Sequence, residues 1–288
     1  MKIGVVLESL RKDSFREGVE AAAALGLDGI QVYCVDRSEL NYKMTPVKAR
    51  EYLDIVKSNG LVLSAVCGDF STGFLNGDKN CEIVDKSKRV LEAAKMLECD
   101  IVTTHIGALT DHETREKEAA RKACRSLALF ADSMGSTLAV ETGPEMATTL
   151  CNFLDSLDSG GIKVNFDPAN LVMVAGDRPE TAVKILEKYI VHTHAKDGIK
   201  LNDGQRRDLN VVIGGEAKDQ DALLRMGWRY LERPLGEGDV NFDTYLPALA
   251  STGFDGFLTI ERWVGADPEA DIALAVRFLR EKLMQYNL

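Results

Sequence analysis

Short runs rich in Val and Ile alternate with longer helical patterns along the chain, and this alternation restricts the fold more than any other feature. KIGVVLE (2–8), GIQVYCV (29–35), LVLSAVCGD (61–69) and DIVTTHIG (100–107) read as strands. So do STLAVETGP (136–144), GIKVNFDPAN (161–170), IVHTHAKD (190–197) and GFLTIERW (256–263). Helical spacing fills the intervals, at 14–26, 45–60, 81–98, 112–134, 146–157, 178–189, 240–253 and 267–286. Each helix carries the chain back, so successive strands pair in parallel with helices outside. Eight such units in 288 residues predict a single-domain (β/α)8 TIM barrel over residues 1–288 rather than an open doubly wound sheet. No glycine-rich dinucleotide fingerprint follows any strand. One interval departs from the rhythm: a long insertion at about 198–238 follows the seventh strand and closes on LGEGD. It carries Arg206, Arg207, Trp228 and Arg229, a composition suited to a lid over a polar ligand or, equally, to a surface or oligomer insertion.

Barrel enzymes place their chemistry at the C-terminal ends of the strands. Here strand five ends in Glu141, strand six in Asp167 and strand eight in Glu261, while strand seven offers His194. Consecutive separations are 26, 27 and 67 residues, one strand–helix unit twice and then one unit plus the insertion. The four groups therefore converge on one rim. Three carboxylates held together repel unless a cation joins them. Mixed oxygen ligands with one imidazole suit one divalent ion, with Mn²⁺ favoured over Mg²⁺, Co²⁺ or Zn²⁺. His192 points to the same face as His194 but one layer deeper, as a core or supporting histidine. Lys196 shares that face, placed for a substrate oxygen or for a salt bridge to Glu141 or Asp167. Other strand-end candidates for substrate contact are Glu8, Gln31, Cys67, His105, Asn170, Arg262 and Trp263, with His105 the strongest.

Composition sets the outer limits. The net charge of −10 argues against nucleic-acid binding, which needs a basic footprint. No apolar run is long enough to cross a membrane, and the first residues lack a signal-peptide pattern. The six cysteines contain no CxxC and read as reduced core thiols, so the expected location is the cytoplasm. A homo-oligomer is compatible with all of this.

VETGPE, NFDPANL, HTHAKD, PLGEGDVNF and GFDGFLTIER together resemble the xylose isomerase-like sugar-phosphate isomerase/epimerase superfamily, over essentially the whole chain. That superfamily includes ketose 3-epimerases, hydroxypyruvate isomerases, inosose dehydratases and endonuclease IV. The resemblance implies that Glu141, Asp167, His194 and Glu261 bind one divalent metal. It also implies that Glu141 and Glu261 act as an opposed acid–base pair on a metal-bound enediolate. The implied function is isomerisation or epimerisation of a small sugar or sugar phosphate; by their strand-end positions His105, Asn170, Lys196, Arg262 and Trp263 are the candidates for contacting it. Asn170 stands where epimerases of free ketoses carry His, and Lys200 where they carry Arg. A lyase of the same fold, removing a β-leaving group from the same enolate, is the first alternative. A non-catalytic sugar-binding protein is the second.

Overall fold

The computed structural model describes residues 1–201 and 229–288. Arg206, Arg207 and Trp228, to which the sequence assigns the lid, lie outside the described residues. Eight parallel strands close a barrel: β1 (Lys2–Val6), β2 (Gly29–Tyr33), β3 (Val62–Cys67), β4 (Ile101–Thr104), β5 (Thr137–Glu141), β6 (Ile162–Phe166), β7 (Ile190–Ala195) and β10 (Phe257–Ile260). Closure is made by β1 pairing with both β10 and β2. Around it run α1 (Phe15–Ala24), α2 (Pro46–Ser58), α3 (Asn80–Met96), α4 (Arg115–Ser133), α5 (Ala147–Asp155), α6 (Pro179–Leu186), α7 (Phe242–Ser251) and α8 (Pro268–Tyr286).

Local chemistry explains several boundaries. Ser14, Thr45, Thr114 and Asp267 each accept a backbone N–H in the first turn of their helix, and Pro46 and Pro268 sit where a missing N–H costs nothing. The first strand is shorter than its apolar run: Leu7–Leu10 form a 3₁₀ turn, so Glu8 sits on the rim rather than in the sheet.

The seventh strand also stops early, at Ala195. Asp197 opens a separate antiparallel hairpin, β8 (Asp197–Lys200) with β9 (Tyr230–Arg233), at the base of the insertion. Asp197 is buried and accepts four backbone N–H groups, from Gly198, Gly236, Gly238 and Val240, at 2.8–3.1 Å. A Cβ at Gly238 would stand 2.1 Å from its carboxylate. The glycines of LGEGD thus bring backbone to Asp197. Among the cysteines, Cys34, Cys67, Cys99 and Cys124 are buried as expected, while Cys81 is exposed and Cys151 half-buried.

Candidate metal centre

Period-two alternation turns Glu141, Asp167 and His194 into the barrel mouth from neighbouring strands β5, β6 and β7. Glu261 follows β10, the next strand round. All four are buried, and one ligand atom from each lies within 4.8 Å of the others. His194 Nδ1 stands 3.6 Å from Glu141 Oε1, 3.6 Å from Asp167 Oδ2 and 3.5 Å from Glu261 Oε2. Neither His194 Nδ1 nor Asp167 Oδ2 has a hydrogen-bond partner, although both are buried. Ligands about 2.1 Å from one octahedral ion stand about 3–4 Å apart. The spacing, the donor set and the two orphaned atoms fit a single divalent cation.

The surroundings orient these ligands. His194 Nε2 lies 3.1 Å from Gln31 Oε1, an oxygen that only accepts, so when the ring gives up one proton it keeps the one on Nε2 and Nδ1 presents the lone pair. Asn165 donates to Glu141 Oε2 at 3.1 Å, and Asn170 donates to Glu141 Oε1 at 2.9 Å. Asp167 Oδ1 is held by the N–H groups of Ala169 and Asn170. One layer deeper, His192 is enclosed by Asn165, Thr259 and Ser64. Burial, followed by the neighbouring His194, pushes its imidazole down to about 3, so it is a neutral core histidine.

Electrostatics bind the cluster together without a cation. Burial alone would lower His194, but the Glu141 and Glu261 carboxylates outweigh it and hold the imidazole up at about 10. Lys196 Nζ lies 2.7 Å from Glu261 Oε2 and 3.7 Å from Asp167 Oδ2, so its salt bridge is chiefly to Glu261. Burial would lower this ammonium too; Glu261 and Asp167 keep it firmly protonated. Against burial, His105 and His194 hold Glu141 well below the usual carboxylate range, and Lys196 and His194 hold Glu261 low.

His105 is on the rim and 42% exposed, its Nδ1 3.0 Å from Asp69 Oδ2 and its Nε2 3.4 Å from Glu141 Oε1. The Glu141 charge dominates and holds this imidazole up at about 11. Arg262 lies beside the centre rather than in it: its guanidinium is engaged by Asp271 at 3.0 Å and Glu232 at 3.2 Å. Alternation explains this, since the residue after an inward Glu261 faces outward. Trp263 is partly exposed, its ring edge-on to Tyr33 at 5.9 Å.

Sequence reasoning missed Asp69, Asn165 and Glu145. Asn165 had a usable signal, two residues before Asp167 on the same strand face. Glu145 had none: it is a loop carboxyl, buried, with an unpartnered Oε2, and burial pushes it up to about 7.

A family model for the xylose isomerase-like TIM barrel matches residues 19–282. The chain belongs to that family. No curated protein matches it. Among solved structures, a xylose isomerase domain protein from Planctomyces limnophilus is 22% identical with a TM-score of 0.77, covering 93% of this chain and 91% of its own. A probable 3-DHS dehydratase from Bacillus anthracis is 19% identical with a TM-score of 0.74, covering 97% and 99%. A 3-keto-D-glucoside 4-epimerase from E. coli is 15% identical with a TM-score of 0.71, covering 98% and 99%. At these identities the likeness is one of fold. Among the described residues no helix is long and apolar enough to cross a membrane.

Proposed function

We propose that this xylose isomerase-like barrel is a divalent-metal-dependent isomerase or epimerase of a small sugar or sugar derivative. It acts by proton transfer at the carbon next to a carbonyl. The observation that carries this reading is the placement of Glu141 and Glu261. They belong to β5 and to the turn after β10, strands separated in the barrel by β6 and β7, yet both carboxylates reach the same His194 nitrogen. Two ionised carboxylates approaching from different sides can serve opposite faces of one carbon.

Glu141, Asp167, His194 and Glu261 would hold the ion, with Mn²⁺ favoured. When bound, the ion polarises the substrate carbonyl and makes the adjacent C–H acidic. Glu141, kept ionised by its two imidazoles, takes that proton. The returning proton comes from the Lys196 ammonium, relayed through the ionised Glu261 carboxylate 2.7 Å away, and the proton held on Glu141 passes to solvent as Lys196 takes one back. Asn170 and Asn165 hold Glu141 in line, and Asp69 holds His105 where its imidazolium meets the substrate side of Glu141. Sugar in deuterated water should take up deuterium at the carbon beside the carbonyl; conversion with no label in substrate or product would sink the two-glutamate reading.

A lyase reading rests on one observation. His105, held protonated on the rim, can donate to a departing hydroxyl. Release of water or of a β-substituent in the same assay, in place of an epimer, would select it.

A further inference from the structure

The rim carries a second recess that the metal centre leaves without a role. A cleft of about 400 Å³ is bordered by Glu8, Lys12, Tyr33, Arg37, Glu39 and Trp263, among others. These residues come from the ends of β10, β1 and β2, which are neighbours in the barrel. The cleft thus begins beside the metal centre, since Trp263 is two residues beyond Glu261. Its volume lies in the range of ligand pockets, about 300–1,000 Å³.

Some of its polar groups are already satisfied. Lys12 pairs with Glu269, and Glu39 accepts the Phe15 N–H at 2.8 Å. Glu8 differs. Its Oε1 accepts the Tyr33 N–H at 2.9 Å, but its Oε2 is buried with no partner. A carboxyl oxygen left so is costly; it is closed to solvent in the free chain, and a ligand hydroxyl would recover the loss by drawing the carboxyl toward the cleft. Trp263 is 38% exposed on a backbone fixed at both ends: its N–H donates to Glu232 at 2.8 Å, and its carbonyl accepts from Arg11. An exposed indole on a rigid backbone is a stacking platform. In this lining carboxylates outnumber cations, and Lys12 is paired, so a phosphate would be repelled. An aromatic face, an unpaired carboxyl and the Arg37 guanidinium together suit the hydroxyls and C–H face of an uncharged sugar ring.

We propose that this cleft holds a second, neutral sugar ring. The substrate is then a two-ring keto-sugar or glycoside, its reactive ring at the metal centre and its distal ring between Glu8 and Trp263. The assignment of the reactive end rests on the function proposed above; the cleft itself needs no metal.

Methyl β-D-glucopyranoside has no carbonyl and tests the cleft alone. Titrated into the full chain by calorimetry or saturation-transfer NMR, it should bind equally with and without Mn²⁺. Glu8→Gln keeps an oxygen for the Tyr33 amide, and both it and Trp263→Ala should weaken binding at least about tenfold, the scale of one hydrogen bond to a charged group. Arg37→Ala, on an exposed loop and harmless to the fold, should weaken it about threefold or more. Lactulose, a ketose bearing a second ring, should bind the Mn²⁺-loaded protein at least about tenfold more tightly than D-fructose, and the substitutions should erase that preference. No glucoside binding, or equal binding by the variants, overturns the proposal whatever the metal does. Glucoside binding that follows this pattern in a protein that neither holds Mn²⁺ nor exchanges protons supports the cleft and rejects the metal reading.

Discussion

His194 must lose a proton before its Nδ1 can hold a cation. In the metal-free chain burial works against the charged imidazole, but Glu141 and Glu261 prevail and hold it up at about 10. At about pH 7 deprotonation therefore costs roughly 4 kcal/mol, three pH units at about 1.36 kcal/mol each. Glu141 and Glu261 stay ionised throughout this range, since both are held below the usual carboxylate value, so they contribute no slope. Apparent metal affinity should rise about tenfold per pH unit from about pH 6.5 to 9 and level off above about 10. The sign for stability follows from the same shift. The folded value exceeds the unfolded one, so the His194 contribution is full below about 6.5 and disappears as pH rises through about 10. The metal-loaded protein should lack that loss. Calorimetric titration with Mn²⁺ in two buffers of different ionisation enthalpy counts the protons, and about one per chain should appear near pH 7.5. Affinity independent of pH between about 6.5 and 8.5, with no proton released, would refute the reasoning.

Glu261→Gln should lower kcat by about two orders of magnitude or more, the usual scale for an acid–base group, as read by the deuterium assay. Gln31→Leu removes the acceptor that orients His194, and Mn²⁺ affinity should fall about 10–100-fold in the same calorimeter; an unchanged value would mean the tautomer is set elsewhere. Asp197→Ala leaves four backbone N–H groups without their acceptor and should cost at least about 3 kcal/mol in urea unfolding; a loss under about 1 kcal/mol would show that water replaces it.

The barrel and the convergence of Glu141, Asp167, His194 and Glu261 were legible in the sequence because both depend on local periodicity. Strand and helix patterns follow from burial on one face. A repeat of 26 or 27 residues carries the chain from one strand end to the next, so Glu141, Asp167 and His194 had to share a rim. Their chemistry then pointed to a cation.

The rest required closure. The tautomer of His194 depends on Gln31, 163 residues away, and those two meet only because β1 joins β10 to β2. Arg262, a candidate by position, was drawn to Asp271 and Glu232 because β9 folds back against the rim. Asp197 closed the predicted seventh strand in the sequence, yet four backbone amides from both sides of the insertion gather on it, and that gathering ends the strand earlier. The cleft beside Glu8 is made by turns after β1 and β2, which follow one another, and after β10, at the far end of the chain. Periodicity reports which face a side chain takes, but its partners are set by which strand ends the closed barrel makes neighbours.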